Sequence, residues 1–321
     1  MKKVFAFLIA LTVSMSALAA TEVRILRQPK IQSTQPVLKI ALEMYPSVAK
    51  EFGINDLVVT TMSSAVGAHG NDAMLAKKLD IVVSGTNTYG ALENAIGADK
   101  TKVLTWWSQY DYWLLCNDPT IKTVKDFKPD TKVAFKSLNA GEHIFLRQIA
   151  KKELGDHYAL DKHVVVLPRE TIQQLFEAGN KNVTCAIPGN PVQNNLVRNN
   201  KASIVYKSDD VNYSSIGLLS YSTTEWISAN ETLALAWVET VKRSVKLYNE
   251  DTENYLARWA EWDQVGTSAK LLAEGDKENR QVYTIKPGAL VMYLKTMKDL
   301  GLSKTPLRPL EDYIWKPELL K

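Results

Sequence analysis

The stretch DIVVSGTNTYGAL, residues 80–92, joins an apolar run to a turn that is rich in glycine, hydroxyl and amide side chains. The β-branched run is typical of a buried strand, and the turn after it is typical of the start of a helix. Gly85 and Gly90 have the spacing of a phosphate-binding loop, but Ala91 and Leu92 stand where that motif requires Lys and Ser or Thr. The sequence therefore argues against a nucleotide and predicts a turn that cradles a different ligand.

The same alternation of strand and helix extends along most of the chain. Strands are predicted at 22–26, 57–61, 80–84, 102–107, 131–136, 163–167 and 183–187. Helices are predicted at about 35–52, 71–79, 139–155 and 170–178, and then at about 224–228, 231–249, 252–262, 267–273 and 288–300. Asn139 and Glu142 have the spacing of a capping box. The pattern predicts an α/β protein with two units, each a mostly parallel sheet flanked by helices.

The N-terminus has the features of a secretory signal peptide. Lys2 and Lys3 precede a short apolar core at 4–13, and SALAA at 16–20 supplies small residues at cleavage spacing. A membrane anchor that stays in place is the alternative, although the apolar core is short for a membrane span. We expect residues 1–20 to be removed and the mature chain to be a soluble, periplasmic protein.

Charge and histidine content limit the classes of partner. The chain has 39 Lys and Arg against 35 Asp and Glu, and two of the cations lie in the predicted signal peptide. This near balance of charge is not typical of a nucleic-acid-binding protein, and we expect no nucleic acid as a partner. The four histidines lack metal-ligand spacing, so we expect neither a metal nor a cofactor.

The two cysteines leave two readings open. Cys116 and Cys185 both lie in apolar, strand-like runs, where a buried unpaired thiol is common. In an oxidising compartment they could also pair. The sequence favours free thiols and leaves a disulfide as the alternative, because separation along the chain says nothing about distance in space.

Polar, mostly uncharged residues follow nearly every predicted strand. In open α/β sheets, ligands bind outside the carboxyl ends of the strands, beside helix N-termini. The same residue types also cap helices and form turns in the absence of any ligand. The predicted ligand-binding residues are Gln28, Ser33, Thr34, Ser63, Ser64, Gly85, Thr86, Asn87, Trp107, Gln109, Asn139, His143 and Asn190.

Four stretches carry a resemblance to a known family. They are NDAMLAKKLDIVVSGTNTYGAL (71–92), TVKDFKPDTKVAFKSLNAGEHIFLRQIAKKELG (123–155), TIQQLFEAGNKNVTCAIPGNP (171–191) and KPGALVMYLKTMKDLGL (286–302). In this order they resemble the bacterial periplasmic solute-binding proteins of the nitrate/sulfonate/taurine type, which share a fold with the thiamine-pyrimidine-precursor proteins. Two departures are Pro188–Pro191, where relatives often carry an aromatic residue, and the aromatic-rich segment 105–115.

The resemblance implies a two-lobed, type II periplasmic-binding-protein fold with a ligand cleft between the lobes. Residues 21–110 and 220–321 would form lobe I, and residues 111–219 would form lobe II. The family also implies delivery of a small-molecule ligand to an ABC permease in the inner membrane, and we expect a monomer.

The ligand class is left open by the sequence. Arg27, Lys136 and Arg169 favour an anionic or polar solute, whereas Trp107 and Tyr110 favour a flat one. A sulfonate, a carboxylate and a pyrimidine-like solute all satisfy these features.

A secreted enzyme or a sensor domain on the same scaffold, acting on a small heterocycle, is the alternative function. No catalytic constellation stands out in the sequence, and we expect no enzyme. His143 could act as a base, but a ligand hydrogen bond or a purely structural role is the favoured interpretation.

Overall fold

The computed structural model describes residues 20–27, 35–64, 67–211, 213, 216–263, 282–283 and 290–320. The strands are β1 (Thr21–Arg27), β2 (Leu57–Ser63), β3 (Ile81–Gly85), β4 (Thr101–Tyr110), β5 (Trp113–Cys116), β6 (Val133–Phe135), β7 (Val164–Val166), β8 (Cys185–Ala186), β9 (Ser203–Lys207), β10 (Ile216–Thr223) and β11 (Val282–Tyr283). The α-helices are α1 (Gln35–Glu51), α2 (Gly67–Leu75), α3 (Thr86–Ile96), α4 (Gly141–Leu154), α5 (Arg169–Glu177), α6 (Val192–Arg198), α7 (Thr224–Ala229), α8 (Glu231–Glu250), α9 (Thr252–Asp263) and α10 (Leu290–Asp299).

The predicted alternation of strands and helices is confirmed from β1 to α5, with boundaries that differ by a few residues. The predicted helix at 267–273 lies outside the described residues, and the predicted strands and helices do not include β5, β9, β10, β11 or α6. The strand predicted at 102–107 is too short, because β4 continues to Tyr110. Its last residues remain paired on both sides, with Gln109 opposite Gly217 of β10 and Val282 of β11.

The strands form two sheets, which we call the first and the second sheet. Within the described residues, the first has six strands in the order β11-β4-β10-β3-β1-β2, and the second has five in the order β7-β6-β8-β5-β9. Both sheets are mixed. In the first, β1 is parallel to β2 and β3, but β10 is antiparallel to β3 and β4. In the second, β6 is parallel to β7 and β8, but β5 is antiparallel to β8 and β9.

The reversed strands result from the path of the chain between the sheets. A strand that is followed by a crossover helix runs in the common direction of its sheet. Only Asp111 and Tyr112 separate β4 of the first sheet from β5 of the second. Since β5 enters the second sheet at the end where its parallel strands finish, it must run against them, and β10 re-enters the first sheet in the same way.

The parallel strands of each sheet end level with one another. Arg27 of β1 pairs with Ser63 of β2, and Gly85 of β3 lies opposite Leu218, which itself lies opposite Ser108 of β4. We call this end of the sheet its carboxyl edge.

In the second sheet the same level is reached by β6, β7 and β8. Phe135 pairs with Val166, and Ala134 pairs with Ala186. Because the crossing segment at 111–112 joins the carboxyl edge of one sheet directly to that of the other, the two edges lie on either side of the same junction.

A disulfide joins the two central antiparallel strands of the second sheet. Cys116 of β5 and Cys185 of β8 occupy directly opposed positions, with Cα atoms 4.0 Å apart, and both are buried. The preference of the sequence for free thiols was wrong. The two residues are 69 positions apart in sequence, so only the pairing of the strands brings them together.

The helices of the C-terminal part cover the first sheet. Trp237 of α8 is fully buried, stacks edge-on against Tyr45 of α1 and donates its indole N–H to Ser220 Oγ at 3.0 Å. Trp259 of α9 is also fully buried. The burial of both tryptophans is typical of packing residues. Within the described residues, no helix combines the length and apolar character needed to cross a membrane.

Candidate functional site

The turn between β3 and α3 places a buried hydroxyl at the carboxyl edge of the first sheet. Gly85 is the N-cap of α3, and none of the described side chains caps the helix. Thr86, the first residue of the helix, is fully buried, and its Oγ1 has no hydrogen-bond partner among the described residues. An unsatisfied buried hydroxyl costs about 1–3 kcal/mol. A polar ligand atom at this helix N-terminus would remove that cost.

Neutral hydrogen bonds hold this turn in place from behind. Ser84 Oγ donates to Thr88 Oγ1 at 3.0 Å, and Asn71 Nδ2 donates to the Thr88 carbonyl at 2.9 Å. Tyr221 in turn donates its hydroxyl to Asn71 Oδ1 at 2.6 Å. A Cβ at Gly67 would lie 2.3 Å from Thr88 Oγ1, so the close packing of α2 on α3 requires glycine at this position.

The end of β2 contributes two further predicted residues. Ser63 is exposed, whereas Ser64 is half-buried. The Ser64 backbone N–H donates to the Arg27 carbonyl at 3.1 Å, and its hydroxyl lies 3.1 Å from His69 Nδ1. Both serines therefore lie at the same carboxyl edge as Thr86.

The carboxyl edge of the second sheet carries charges instead. Glu142, near the start of α4, is buried, and its Oε1 accepts a hydrogen bond from Arg169 Nη2 at 2.9 Å. Lys136, the first residue after β6, has its ammonium 3.9 Å from the same oxygen. A Cβ at Gly189, which has φ +73°, would lie 2.9 Å from Arg169 Nη2. The guanidinium is thus packed between the Glu142 carboxylate and the backbone after β8.

Each charge alters the protonation of its neighbour. Burial raises the pKa of Glu142, but Lys136 and Arg169 outweigh that effect, so the pKa lies below its ordinary value. Burial lowers the pKa of Lys136 to about 8, with Arg169 acting in the same direction and Glu142 opposing it. At neutral pH the three side chains therefore carry one net positive charge.

A second charged group supports the loop between β6 and α4. Asn139 adopts φ +57°, and its backbone N–H donates to His143 Nδ1 at 3.0 Å. His143 Nε2 lies 3.1 Å from Asp161 Oδ1, and Arg147 bonds to both Asp161 oxygens. Burial lowers the pKa of His143, against the opposing effect of Asp161. The described contacts of His143 occupy both ring nitrogens, so they support a structural role for this residue.

The capping box predicted from Asn139 and Glu142 is wrong. Ala140 is the N-cap of α4, and no side chain in the described part of the chain caps the helix. Because Asn139 adopts a left-handed conformation, its Oδ1 accepts from Arg147 Nη1 at 3.2 Å instead, while Glu142 turns to Arg169.

The remaining predicted residue of the second sheet is Asn190, which follows β8. It is buried and precedes Pro191 through a cis peptide bond. Its neighbours on α6 fix the crossing segment: Gln193 Nε2 donates to the Asp111 carbonyl at 3.0 Å, and Gln193 Oε1 accepts from the Trp113 N–H at 3.3 Å. Asn190 therefore lies where the carboxyl edge of the second sheet meets the junction.

The structure thus brings together only part of the predicted set. Ser63, Ser64, Gly85 and Thr86 with Asn87 lie at the first edge, and Asn139, His143 and Asn190 lie at the second. For Trp107 and Gln109 only the strand backbone is described, and Gln28, Ser33 and Thr34 lie outside the described residues. Glu142 and Gln193 were missed as site residues.

Glu142 could have been found by its position in the second residue of a helix that follows a strand. Gln193 had a weaker signal, as an amide in the polar segment after 183–187. In the part of the chain that is described, no group of three His, Cys, Asp or Glu side chains is placed to hold a metal ion.

The overall fold is similar to that of solved periplasmic binding proteins. The periplasmic aliphatic sulphonate binding protein SsuA from Escherichia coli is 17% identical, with a TM-score of 0.70 over 94% of this chain and 100% of that chain. The alkanesulfonate-binding protein SsuA from Xanthomonas axonopodis, bound to MOPS, is 15% identical, with a TM-score of 0.70 over 92% of this chain and 98% of that chain.

The periplasmic nitrate-binding protein NrtA from Synechocystis is 13% identical, with a TM-score of 0.66 over 94% of this chain and 87% of that chain. No protein-family model matches the sequence, and no curated protein matches it. At these identities the likeness establishes the fold. The chain has the two-sheet α/β fold of periplasmic binding proteins, as the sequence predicted.

Proposed function

We propose that this chain is an exported solute-binding protein that captures a small polar solute between its two carboxyl edges and delivers it to an ABC importer. In this proposal residues 21–110 and 220–321 form lobe I, residues 111–219 form lobe II, and the monomeric chain closes over the solute. The crossing segment at 111–112 is short enough to act as a hinge between the two.

The observation that carries the proposal is the Thr86 hydroxyl. It is fully buried, sits at the N-terminus of an eleven-residue helix and has no hydrogen-bond partner among the described residues. Neutral side chains behind it fix its turn, as expected for a binding group that is held ready before its ligand arrives.

Two further observations support export and binding rather than catalysis. The buried Cys116–Cys185 disulfide is a feature of proteins from oxidising compartments, which agrees with a signal peptide at 1–20. The similar solved structures from Escherichia coli, Xanthomonas and Synechocystis are all named as binding proteins. An enzyme or a sensor domain on this scaffold is the alternative.

A thermal-shift screen of the exported chain tests the proposal. Sulfonates, organic acids, pyrimidines and nitrate would be compared, and one class is expected to raise the melting temperature by several degrees. The function is wrong if no class does so and turnover of a small substrate is detected instead.

Thr86→Val then tests the site with the compound that the screen identifies. The substitution keeps the shape of the side chain but removes the hydroxyl. We expect binding to weaken by about 1–3 kcal/mol in calorimetry, because the solute loses its buried partner. Thr240→Val is the matched control, since Thr240 is also fully buried but bonds within α8 to the Ala236 carbonyl. Equal affinities of the two variants would remove Thr86 from the site.

A further inference from the structure

Among the described residues, Glu142 bonds to its side-chain neighbours through only one of its two carboxylate oxygens. Its Oε1 accepts from Arg169 Nη2 at 2.9 Å and lies 3.9 Å from Lys136 Nζ. Its Oε2 has no hydrogen-bond partner among the described residues, although the side chain is 99% buried, with a relative exposure of 1%. A buried, charged acceptor without a donor is costly, and it is more costly than the same deficit at a neutral group.

Lys136, next to Glu142, has hydrogen-bond donors for which the described residues offer no acceptor. Its ammonium has three donor positions, yet the described residues offer it no hydrogen bond, because the Glu142 oxygen at 3.9 Å is too distant for one. The side chain is 20% exposed, so solvent reaches part of it. An unused acceptor and an unused donor therefore lie next to each other on one carboxylate–ammonium pair.

The pair lies at the edge where the solute is expected. Lys136 directly follows β6, Glu142 lies in the first turn of α4, and Arg169 begins α5 after β7. Gly189, three residues beyond β8, packs against the guanidinium. All four positions are therefore at the carboxyl edge of the second sheet, where they close one side of the proposed cleft.

We propose that Glu142 and Lys136 select a solute that presents an N–H donor to Glu142 Oε2 and an adjacent carbonyl or ring-nitrogen acceptor to Lys136. This arrangement is the edge of an amide or of a nitrogen heterocycle. The inference rests on the proposed function and assigns a ligand class to its cleft.

A simple oxyanion fits this edge less well. Nitrate and alkanesulfonates carry acceptors but no donor, so they leave Glu142 Oε2 unsatisfied and bring a second negative charge towards it. Sites that are built to hydrogen-bond a donor reject analogues that lack it, because the buried partner is then left unpaired. The edge thus disfavours the sulfonate class that the sequence left open.

Calorimetry with four probes tests the inference on the exported chain. Uracil offers N–H groups next to carbonyls, 1,3-dimethyluracil keeps the ring but lacks the N–H groups, and ethanesulfonate and nitrate are oxyanions without a donor. Uracil is expected to bind at least tenfold more tightly than each of the other three. Equal binding of uracil and 1,3-dimethyluracil, or tighter binding of either oxyanion, would overturn the inference.

Two variants locate the effect, and one controls for it. Glu142→Gln is expected to weaken the binding of uracil at least tenfold. Lys136→Met is expected to weaken it at least fivefold and to leave the Glu142–Arg169 contact in place. Glu153→Gln is the control, because it makes the same change on α4 at a residue that pairs with Lys125 instead. Unchanged uracil affinity in Lys136→Met and in a folded Glu142→Gln would also overturn the inference.

The outcomes separate this inference from the proposed function. Suppose that ethanesulfonate or nitrate binds, that Thr86→Val weakens this binding and that Glu142→Gln leaves it unchanged. In that case the inference is wrong and the binding function stands. If none of the four probes binds, the inference is wrong, and the wider thermal-shift screen decides the function by itself.

Discussion

The two carboxyl edges that meet at the crossing segment differ in their chemistry. The edge of the first sheet is neutral: hydroxyl and amide groups around Thr86 and Thr88 bond to one another, with Tyr221 behind them. The edge of the second sheet is charged, with Lys136 and Arg169 arranged around the Glu142 carboxylate. Neutral hydrogen bonds keep their geometry as pH changes, whereas an array of charges does not. Under the proposed function, the first edge would fix the shape of a solute, and the second would respond to its charge and donor pattern.

The largest expected effect comes from the disulfide between Cys116 and Cys185 in the second sheet. Replacing Cys116 and Cys185 together by Ala should lower the free energy of unfolding by about 4 kcal/mol, because the bridge closes a loop of 69 residues in the unfolded chain. Urea unfolding monitored by circular dichroism measures this loss. A loss below about 1 kcal/mol would mean that the second sheet does not depend on its crosslink.

Titration of Lys136 should distinguish the charged edge from the neutral one. Because the folded state lowers the pKa of Lys136 to about 8, the unfolded chain binds more protons between about pH 8 and 10.5. The free energy of unfolding of the native chain, relative to Lys136→Met, should therefore rise with pH across this window, by about 2–3 kcal/mol.

The comparison with Lys136→Met is needed because many other groups titrate above pH 8. The matched measurement at the first edge uses Thr86→Val, whose stability difference from the native chain should not change with pH. If the difference in free energy of unfolding between the native chain and Lys136→Met does not change between pH 8 and 10.5, burial does not lower the pKa of Lys136.

Two glycines test whether each edge is as closely packed as the structure shows. Gly67→Ala places a methyl group 2.3 Å from Thr88 Oγ1 at the neutral edge. Gly189→Ala places one 2.9 Å from Arg169 Nη2 at the charged edge, in a backbone conformation with φ +73° that alanine disfavours. Each should destabilise the chain by about 1–2 kcal/mol.

The consequences of the two glycine changes should differ. Gly67→Ala should weaken solute binding through Thr86, and Gly189→Ala should move Arg169 and so raise the pKa of Glu142. Chemical denaturation gives the stabilities, and carboxyl-carbon NMR gives the pKa of Glu142. Native stability in both variants would show that the edges are looser than described.

The sequence predicted the features that local patterns determine. Runs of β-branched residues, helix-ending glycines and the turn at Gly85 gave most of the elements and the position of Thr86 at a strand end. The reversed strands β5 and β10 were not predictable in this way, because their direction depends on where the chain crosses between sheets.

Partners that are distant in sequence were also missed. Glu142 has the local spacing of a capping residue, yet its partner Arg169 is 27 positions away. Cys116 and Cys185 are 69 positions apart and meet only through strand pairing. In each case a tertiary contact outweighed the local alternative, which is why the charged edge was harder to predict than the neutral one.

The smallest expected effect concerns His143, which supports the charged edge from behind. Since Asn139 donates its N–H to His143 Nδ1, the ring must be neutral and carry its proton on Nε2, facing Asp161. Burial lowers the pKa of His143, so the unfolded chain binds more protons just below the ordinary histidine pKa. The native chain should therefore lose stability as the pH falls through that range.

Nitrogen-15 NMR should show an Nε2–H tautomer at pH 7 and a pKa below 6.5 for His143. His143→Asn, which keeps an acceptor near the Asn139 N–H but does not titrate, should abolish this part of the acid sensitivity. A proton on Nδ1, or a pKa above the ordinary value, would mean that Asp161 rather than burial controls the ring, and that the loop carrying Asn139 is not held by His143.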